Sequence, residues 1–417
     1  MKPRELLTEL FTAAVRAADP LTGIASHLPA PPRGRTVVVG AGKGAAQMAR
    51  ALESLWPTPL EGIVVTRYGY GCETRSIRVI EASHPVPDAA GLTASGLLME
   101  AVAGLTDDDL VIALICGGGS ALLPAPPAGL TLQDEIALNE LLLASGAPIA
   151  SMNVVRKHLS TIKGGRLAAA TKARVVSLIV SDIPGDNPAH VASGPTVADS
   201  SSRQQAQAVI EQYRLELPQA AIDHLASPSA DAPRPDNPIF ARHEHHIIAS
   251  AGVSLEAAAA AARAHGIEAV ILSDSIEGES RDVALVHAAI AREVATRNRP
   301  FSKPVVILSG GETTVTLRGR GGRGGRNGEF ALAMALAIGE QNIHVLAADT
   351  DGIDGSENNA GAFADGDTLR RLREAGMDPR KLLDANDSYT GFEALGDLFV
   401  TGPTGTNVND FRAILIA

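Results

Sequence analysis

Five short runs bring glycine together with side chains able to hold or move a charged group. Gly40-Ala-Gly42-Lys43-Gly44-Ala45 sets a lysine among glycines, and Cys116-Gly117-Gly118-Gly119-Ser120 sets three glycines before a hydroxyl. Arg318-Gly-Arg320-Gly-Gly-Arg323-Gly-Gly-Arg326-Asn327-Gly328 spaces four arginines by glycine, and Asp349-Thr-Asp351-Gly-Ile-Asp354-Gly sets three carboxylates within six residues. Ser181-Asp182-Ile-Pro-Gly185-Asp186 offers two more carboxylates. Glycine lets the backbone approach a ligand and aim its N–H groups at an anion. Lysine and arginine neutralise phosphate or carboxylate oxygens, arginine through paired hydrogen bonds. Clustered carboxylates suit a hard cation such as Mg²⁺, which keeps several waters and bridges to substrate phosphates. Together these are the parts that phosphoryl transfer requires, since that reaction asks the protein for positioning and charge neutralisation rather than covalent chemistry.

Each run has competing readings. The Lys43 loop matches the dinucleotide fingerprint, but a nicotinamide site also wants an acidic residue ending the second strand, and that strand runs into Arg67. An anion site and a simple tight turn are the other two readings. Beyond Ser120, a nucleophile elbow needs glycine two residues on, where Leu122 stands, so ester hydrolysis is unsupported; a strand-to-helix turn remains. The arginine loop reads as a phosphate site, a solvated loop or an RNA contact, the last being usual in long terminal tails rather than in a short loop between a strand and a helix. The acidic runs read as Mg²⁺ sites or as solvated turns, and the Asp349 run lacks the spacing of an EF-hand. His243-Glu-His245-His246 opens a strand whose alternate residues point to opposite faces, which disfavours a metal site. His84-Pro-Val-Pro-Asp88 reads as a rigid turn, with a place on the cleft wall as its other reading. Neither a Walker A motif nor the protein-kinase motif set is present.

All five runs follow predicted strands, where open α/β sheets bind ligands. Strands are expected at 36–39, 62–66, 77–81, 110–115 and 175–180, with helices near 44–55, 88–103, 132–145 and 152–170. Continuous apolar strands separated by helices predict a mainly parallel, doubly wound sheet. Ser227 to Pro238 carries four prolines and no large apolar side chain, which predicts a boundary and hence domains 1–238 and 239–417. Further strands are expected at 246–249, 268–272, 304–308, 313–317 and 343–347, with one helix capped by Ser254 and ended by Gly266 and another starting at Ser280. The N-terminus reads as an amphipathic helix through Leu6, Leu7, Leu10, Phe11, Ala14 and Val15.

Composition excludes several classes. The 417 residues include 36 Lys+Arg and 47 Asp+Glu, a net charge of −11, which disfavours nucleic acid as a partner. Apolar residues at 45% and charged residues at 20% predict a globular core, and no apolar run is long enough to span a membrane. Two cysteines outside any C-x-x-C pair favour a reducing compartment, and the expected localisation is cytoplasmic.

Taken in order, Val39-Gly-Ala-Gly-Lys-Gly44, Ser83-His-Pro-Val-Pro-Asp88, Gly117-Gly-Gly-Ser-Ala-Leu-Leu123, Val155-Arg-Lys157-His-Leu159 with Ile162-Lys-Gly-Gly-Arg-Leu167, and Ser181-Asp-Ile-Pro-Gly-Asp186 with Ala192-Ser-Gly-Pro-Thr196 resemble the N-terminal part of the glycerate 2-kinases. Ser309-Gly-Gly-Glu312-Thr313, Gly324-Gly-Arg-Asn327, Thr350-Asp-Gly-Ile-Asp-Gly355 and Thr401-Gly-Pro-Thr-Gly-Thr-Asn407-Val-Asn-Asp410 resemble their MOFRL-type domain. The resemblance implies two α/β domains, the first Rossmann-like and mainly parallel, the second smaller and mixed, with the active site in the cleft between them. It implies ATP- and Mg²⁺-dependent phosphorylation of D-glycerate at the C2 hydroxyl, with no nucleic-acid or membrane partner and a homo-oligomer left open. Lys43 and Arg326 match positions proposed for the family's site. With Asp182 and Asp351 they form the expected catalytic set. Gly42, Gly117, Gly118, Gly119, Ser120, Lys157, Glu312, Arg323, Asn327 and Asn407 are expected to bind substrate or phosphate, and Asp186 and Asp354 to hold Mg²⁺. Gly328 departs from the family's usual glutamine, and Cys116 from its usual serine. Some members carry the name hydroxypyruvate reductase, so NAD(P)H-dependent reduction of hydroxypyruvate is the competing activity.

Overall fold

The segments Thr36–Ala41 (β1) and Leu110–Cys116 (β4) are buried at every residue, as strands covered on both faces must be. In the computed structural model, which describes residues 1–317 and 322–417, they lie side by side at the centre of a six-stranded sheet. Its other strands are Glu61–Arg67 (β2), Ile77–Ala82 (β3), Arg174–Val180 (β5) and Glu244–Ala249 (β6), and the order is β3-β2-β1-β4-β5-β6. Strands β1 to β5 pair in parallel. The chain winds outward from β1 to β3, then returns to the middle at β4 and winds the other way. That reversal makes the β1–β4 junction the topological switch point of a doubly wound sheet. Val39, Ala113, Val175 and Ile179 from the strands pack with Leu98 and Ile162. The helix Ala45–Leu55 buries Ala46, Met48, Ala49 and Leu52, and the helix Ala89–Val102 is capped by the Asp88 side chain accepting from Gly91 N–H at 3.0 Å.

The second sheet comprises Glu268–Glu279 (β7), Val305–Thr314 (β8), Ile343–Asp349 (β9), Gly361–Asp365 (β10), Leu398–Phe399 (β11) and Asp410–Ile416 (β12), in the order β11-β10-β9-β12-β8-β7. It is mixed: β7 and β8 run parallel with an irregular register between Ile271 and Ile276, and the remaining pairs are antiparallel. Alternate residues take opposite faces. Ile307, Val345 and Ile414 pack with Phe330 under the helices Ser280–Arg297 and Arg326–Ile338. Leu308, Leu346 and Ala413 pack with Leu255 and Phe11 under the helices Ala251–Ala264 and Pro3–Ala17.

The chain divides into a central unit, Pro20–Ile248, and a terminal unit made of Met1–Asp19 and Ala249–Ala417. This differs from the expected division at 238. The N-terminal helix packs on the second sheet, because Leu7, Leu10 and Phe11 find their apolar partners there, with Phe11 edge-on to Phe399 and Phe411 at 5.0 and 5.7 Å. The strand expected at 246–249 is β6 and completes the first sheet rather than starting the second. The strands expected at 304–308 and 313–317 are one continuous β8. The helix expected over 152–170 is two, Ile149–His158 and Arg166–Ala169, broken at Gly164 and Gly165, whose φ of 64° and 81° no helix continues. The helix expected to start at Ser254 starts a turn earlier, capped by Ser250; Ser254 is buried within it and donates to Ala14 O at 2.9 Å.

Phe11→Ala removes an aromatic ring from a filled site, and the terminal unit should lose about 3–5 kcal/mol, read as a lowered urea midpoint. An unchanged midpoint would show that the N-terminal helix adds nothing to that core.

Candidate active site

In the central unit the loops following β1, β3, β4 and β5 meet around the switch point. Lys43 is fixed by its backbone: its N–H donates to Gly117 O at 2.8 Å, and its carbonyl accepts from Thr66 Oγ1 at 2.9 Å. Gly44 N–H donates to Cys116 Sγ at 3.2 Å. Burial pushes the Cys116 thiol up to about 12, so it stays protonated and serves as an acceptor beneath the loop. Among the described residues the Lys43 ammonium has no ion-pair partner, whereas Lys157 and Lys163 are buried against Asp199 at 3.2 Å and Glu135 at 2.6 Å. Gly118 has φ 81°, and a side chain there would meet Lys43 Cγ at 3.0 Å and His84 Nε2 at 3.1 Å. The Asp182 carboxylate lies directly over the Cα of Gly117, in space a Cβ would occupy.

Ser120 shares a 2.8 Å hydrogen bond with Ser193, which donates to Asn153 Oδ1 at 3.1 Å. The expected donor to a ligand is therefore engaged within the protein. Ser193 and Ala192 hold φ of 60° and 52°, a left-handed conformation costing non-glycine residues about 1 kcal/mol or more each, and the Ala192 methyl packs against Gly119. Strain of this kind concentrates at functional sites. Gly42 is buried, its N–H donating to Val65 O at 3.1 Å. Asp186 lies in the turn Pro184–Asp186 beyond Asp182, at φ 49°. Lys157 differs from expectation. Its ammonium is buried and committed to Asp199, so it braces the fold from within.

In the terminal unit Arg326, first residue of its helix, is held by three carboxylates: Asp410 at 2.6 Å, Asp349 at 2.7 Å and Glu312 at 2.9 Å. Burial opposes its charge, but these partners outweigh burial and hold its pKa above the ordinary arginine range. Asn327 Nδ2 donates to Asp410 Oδ1 at 2.8 Å, while Asp410 Oδ2 accepts from Thr313 N–H and Oγ1, both at 3.1 Å, and from the fully buried Arg412. Asp354, expected as a Mg²⁺ ligand, instead caps the helix: its two oxygens accept N–H bonds from Asn327 at 2.9 Å and Gly328 at 2.8 Å. Burial nevertheless raises its carboxyl to about 6. Burial also pushes Asp349 well above the usual carboxylate range, despite Arg326. Asp351 donates its N–H to Asp349 at 3.1 Å, accepts from Ile353 N–H at 2.8 Å and meets the Asn407 amide at 3.5 Å. Arg323 lies outside this set, paired with Glu357 at 3.1 Å and Glu393 at 3.3 Å and stacked 4.1 Å above Tyr389. Arg318 and Arg320 fall outside the described residues.

The structure brings Lys43 together with the Gly117–Gly119 turn and Asp182, and Arg326 together with Asn327 and the Asp349–Asp354 turn. Sequence reasoning gives no role to Arg67 or Asn153 and leaves His84 with two readings, a rigid turn or part of a cleft wall. Arg412 it missed, though a lone arginine in the apolar strand Asp-Phe-Arg-Ala-Ile-Leu-Ile was a signal for a buried partner. Among the described residues no three His, Cys, Asp or Glu side chains converge as a metal cage, and His243–His246 forms none.

A model described as a domain of unknown function (DUF4147) matches residues 6–226, and the MOFRL family model matches residues 305–410. A protein of Agrobacterium vitis with a provisional hydroxypyruvate reductase name is 51% identical, the alignment covering 99% of this chain and 94% of that protein. A glycerate 2-kinase of Pyrococcus horikoshii is 39% identical over 100% of this chain and 98% of its own length. The crystal structure of a glycerate kinase from Thermotoga maritima superposes with a TM-score of 0.91 at 36% identity, covering 99% of both chains.

His287, on the helix Ser280–Arg297, hydrogen bonds Val283 O at 2.8 Å and Ser309 Oγ at 2.9 Å, and burial lowers its pKa from 6.5 to about 4. The unfolded chain takes up this proton near 6.5 while the folded one resists until about 4, so the stability His287 contributes is present above 6.5 and is lost as pH falls through that window. Urea midpoints measured across the window should decline, and less steeply in His287→Gln.

Proposed function

The chain belongs to the glycerate 2-kinase family, and from that premise we propose that it transfers the γ-phosphoryl group of ATP to the C2 hydroxyl of D-glycerate, giving 2-phosphoglycerate. The observation that carries the reading is Lys43, an ammonium without an ion pair among the described residues, fixed through its backbone beside a glycine turn at the switch point. Preorganised cations and backbone N–H groups are what a transferring phosphoryl group needs, because they need no rearrangement as charge moves. In the proposed step the C2 oxygen forms a bond to the γ-phosphorus as the bond to the departing ADP oxygen breaks, and the hydroxyl proton passes to a carboxylate. Lys43 and the Gly117–Gly119 backbone neutralise phosphoryl oxygens. We assign the proton to Asp182, the carboxylate against that turn.

Arg326 keeps a role with Glu312, more than half exposed, as the partner an incoming phosphate displaces. Lys157 receives no substrate contact, since the buried Asp199 holds its charge, and Arg323 receives none, since Glu357 and Glu393 pair with it at the surface. The donor set suits Mg²⁺. Glu312, Asp349 and Asp410 surround the Arg326 guanidinium, Asp410 also meets Arg412, and Asp351 adjoins Asp349, so carboxylates outnumber guanidinium groups there. With no protein cage among the described residues, the fitting arrangement is Mg²⁺ carried on nucleotide phosphates, with Asp351 as a protein ligand; bound there, the ion would neutralise phosphate charge. Among the described residues no helix is long and apolar enough to cross a membrane, and the two free thiols support a cytoplasmic setting.

Reduction of hydroxypyruvate is the second reading, favoured by the name of the Agrobacterium vitis relative. Against it, β2 ends in Thr66-Arg67 with no carboxylate to bind a nicotinamide ribose.

Phosphorus NMR of the protein with ATP, Mg²⁺ and D-glycerate should reveal a new phosphomonoester at C2. Its absence, together with NADH consumption on hydroxypyruvate, would reverse the order of the two readings. Lys43→Ala should lower kcat by about 10²–10³-fold at an unchanged urea midpoint, and a kcat equal to wild type would remove Lys43 from the mechanism.

A further inference from the structure

His84 stands out among the histidines of this chain. His158 bonds Ala230 O and Ser201 Oγ through its two ring nitrogens, and His287 bonds Val283 O and Ser309 Oγ, so both rings are satisfied internally. The His84 ring, half-buried, has no hydrogen-bond partner among the described residues. Its Nε2 and the Lys43 side chain flank the same face of Gly118. The loop carrying it is clamped: Asp88 accepts the Ser83 N–H, the Tyr68 hydroxyl at 2.8 Å and the Gly91 N–H at 3.0 Å. A fixed imidazole with unused hydrogen-bonding capacity, beside an unpaired ammonium and a left-handed glycine turn, is arranged to meet a ligand.

We propose that His84 is a further catalytic residue of the phosphoryl transfer, donating Nε2–H to a substrate oxyanion lodged over the Gly117–Gly119 turn beside Lys43. The oxyanion belongs either to the transferring phosphoryl group or to the glycerate carboxylate, and the inference rests on the kinase reading of this site. Burial first, then the charges of Lys43 and Arg67, lower the His84 pKa to about 4. The ring is therefore neutral near pH 7, with one N–H to give, and supplies a directed hydrogen bond rather than a third positive charge. It neither gains nor loses a proton in the step; the C2 hydroxyl proton still passes to the carboxylate.

Steady-state rates of wild type, His84→Ala and His84→Gln test this. His84→Ala should lower kcat/KM by about 10²-fold at an unchanged urea midpoint. His84→Gln, which keeps an N–H near the Nε2 position, should recover at least about a tenth of wild-type activity; a proton acceptor would not be rescued in this way. A loss confined to the KM for glycerate assigns the carboxylate, and a loss in kcat assigns the phosphoryl group. Wild-type activity in His84→Ala overturns the proposal, as does His84→Gln no better than His84→Ala. If His84→Ala does not fold, His84→Phe, which fills the space without a donor, takes its place. Inorganic phosphate separates this outcome from failure of the kinase reading: on saturation it should shift the His84 ring resonances of nitrogen-labelled protein whether or not turnover occurs, and unmoved resonances overturn the contact.

Discussion

Asp410 is a carboxylate with no exposed side-chain surface, and the loops of the terminal unit are organised by the need to satisfy it. A buried charge is tolerable only when paired and hydrogen-bonded on all sides. One oxygen takes Arg326 and the Asn327 amide; the other takes Thr313 and Arg412. Those donors come from the start of the helix Arg326–Ile338, from the end of β8 and from β12 itself. Satisfying one carboxylate therefore fixes where the arginine loop re-enters regular structure and where β8 must stop. Asp354 completes the junction by taking the two backbone N–H groups that open the helix.

The two units treat positive charge in opposite ways. Arg326 is held by three carboxylates, while burial above all keeps Asp349 and Asp354 reluctant to ionise. Lys43 is positioned through its peptide group instead, by Gly117 and Thr66, which leaves the ammonium uncommitted. Holding a cation by its backbone keeps its full charge available to a ligand; holding it by counter-ions does not. That distinction separates Lys43 from Lys157, whose ammonium is buried and already matched by Asp199.

Much of this was legible in the sequence because the signals were local. Apolar runs of strand length marked β1, β2, β4 and β5, and glycine beside charge marked the loops that follow β1 and β4. What was not legible depended on distant partners. Phe11 reads as one apolar position of an amphipathic helix, and nothing local says that its partners are Phe399 and Phe411. β6 looked like the opening of the second sheet because it follows the proline-rich segment, yet hydrogen-bond pairing rather than chain order decides membership of a sheet. Lys157 and Asp199 are 42 positions apart, so their pairing hid a structural role behind a motif that suggested binding. Arg323 and Arg326 look equivalent in a glycine–arginine repeat, and only their carboxylate partners, Glu357 and Glu393 for one, Glu312, Asp349 and Asp410 for the other, tell them apart.

The helix Pro3–Ala17 belongs to a sheet whose first strand begins at Glu268. During synthesis this helix emerges before its partners, which follow only after the whole of Pro20–Ile248 has been made, on the order of ten seconds or more later at usual elongation rates. Over that interval Leu6, Leu7, Leu10 and Phe11 form an apolar stripe with no surface of their own unit to cover it. The central unit, whose strands are contiguous in the chain, can meanwhile complete its sheet. The contiguous central unit thus has all its own partners on hand before the helix that precedes it does.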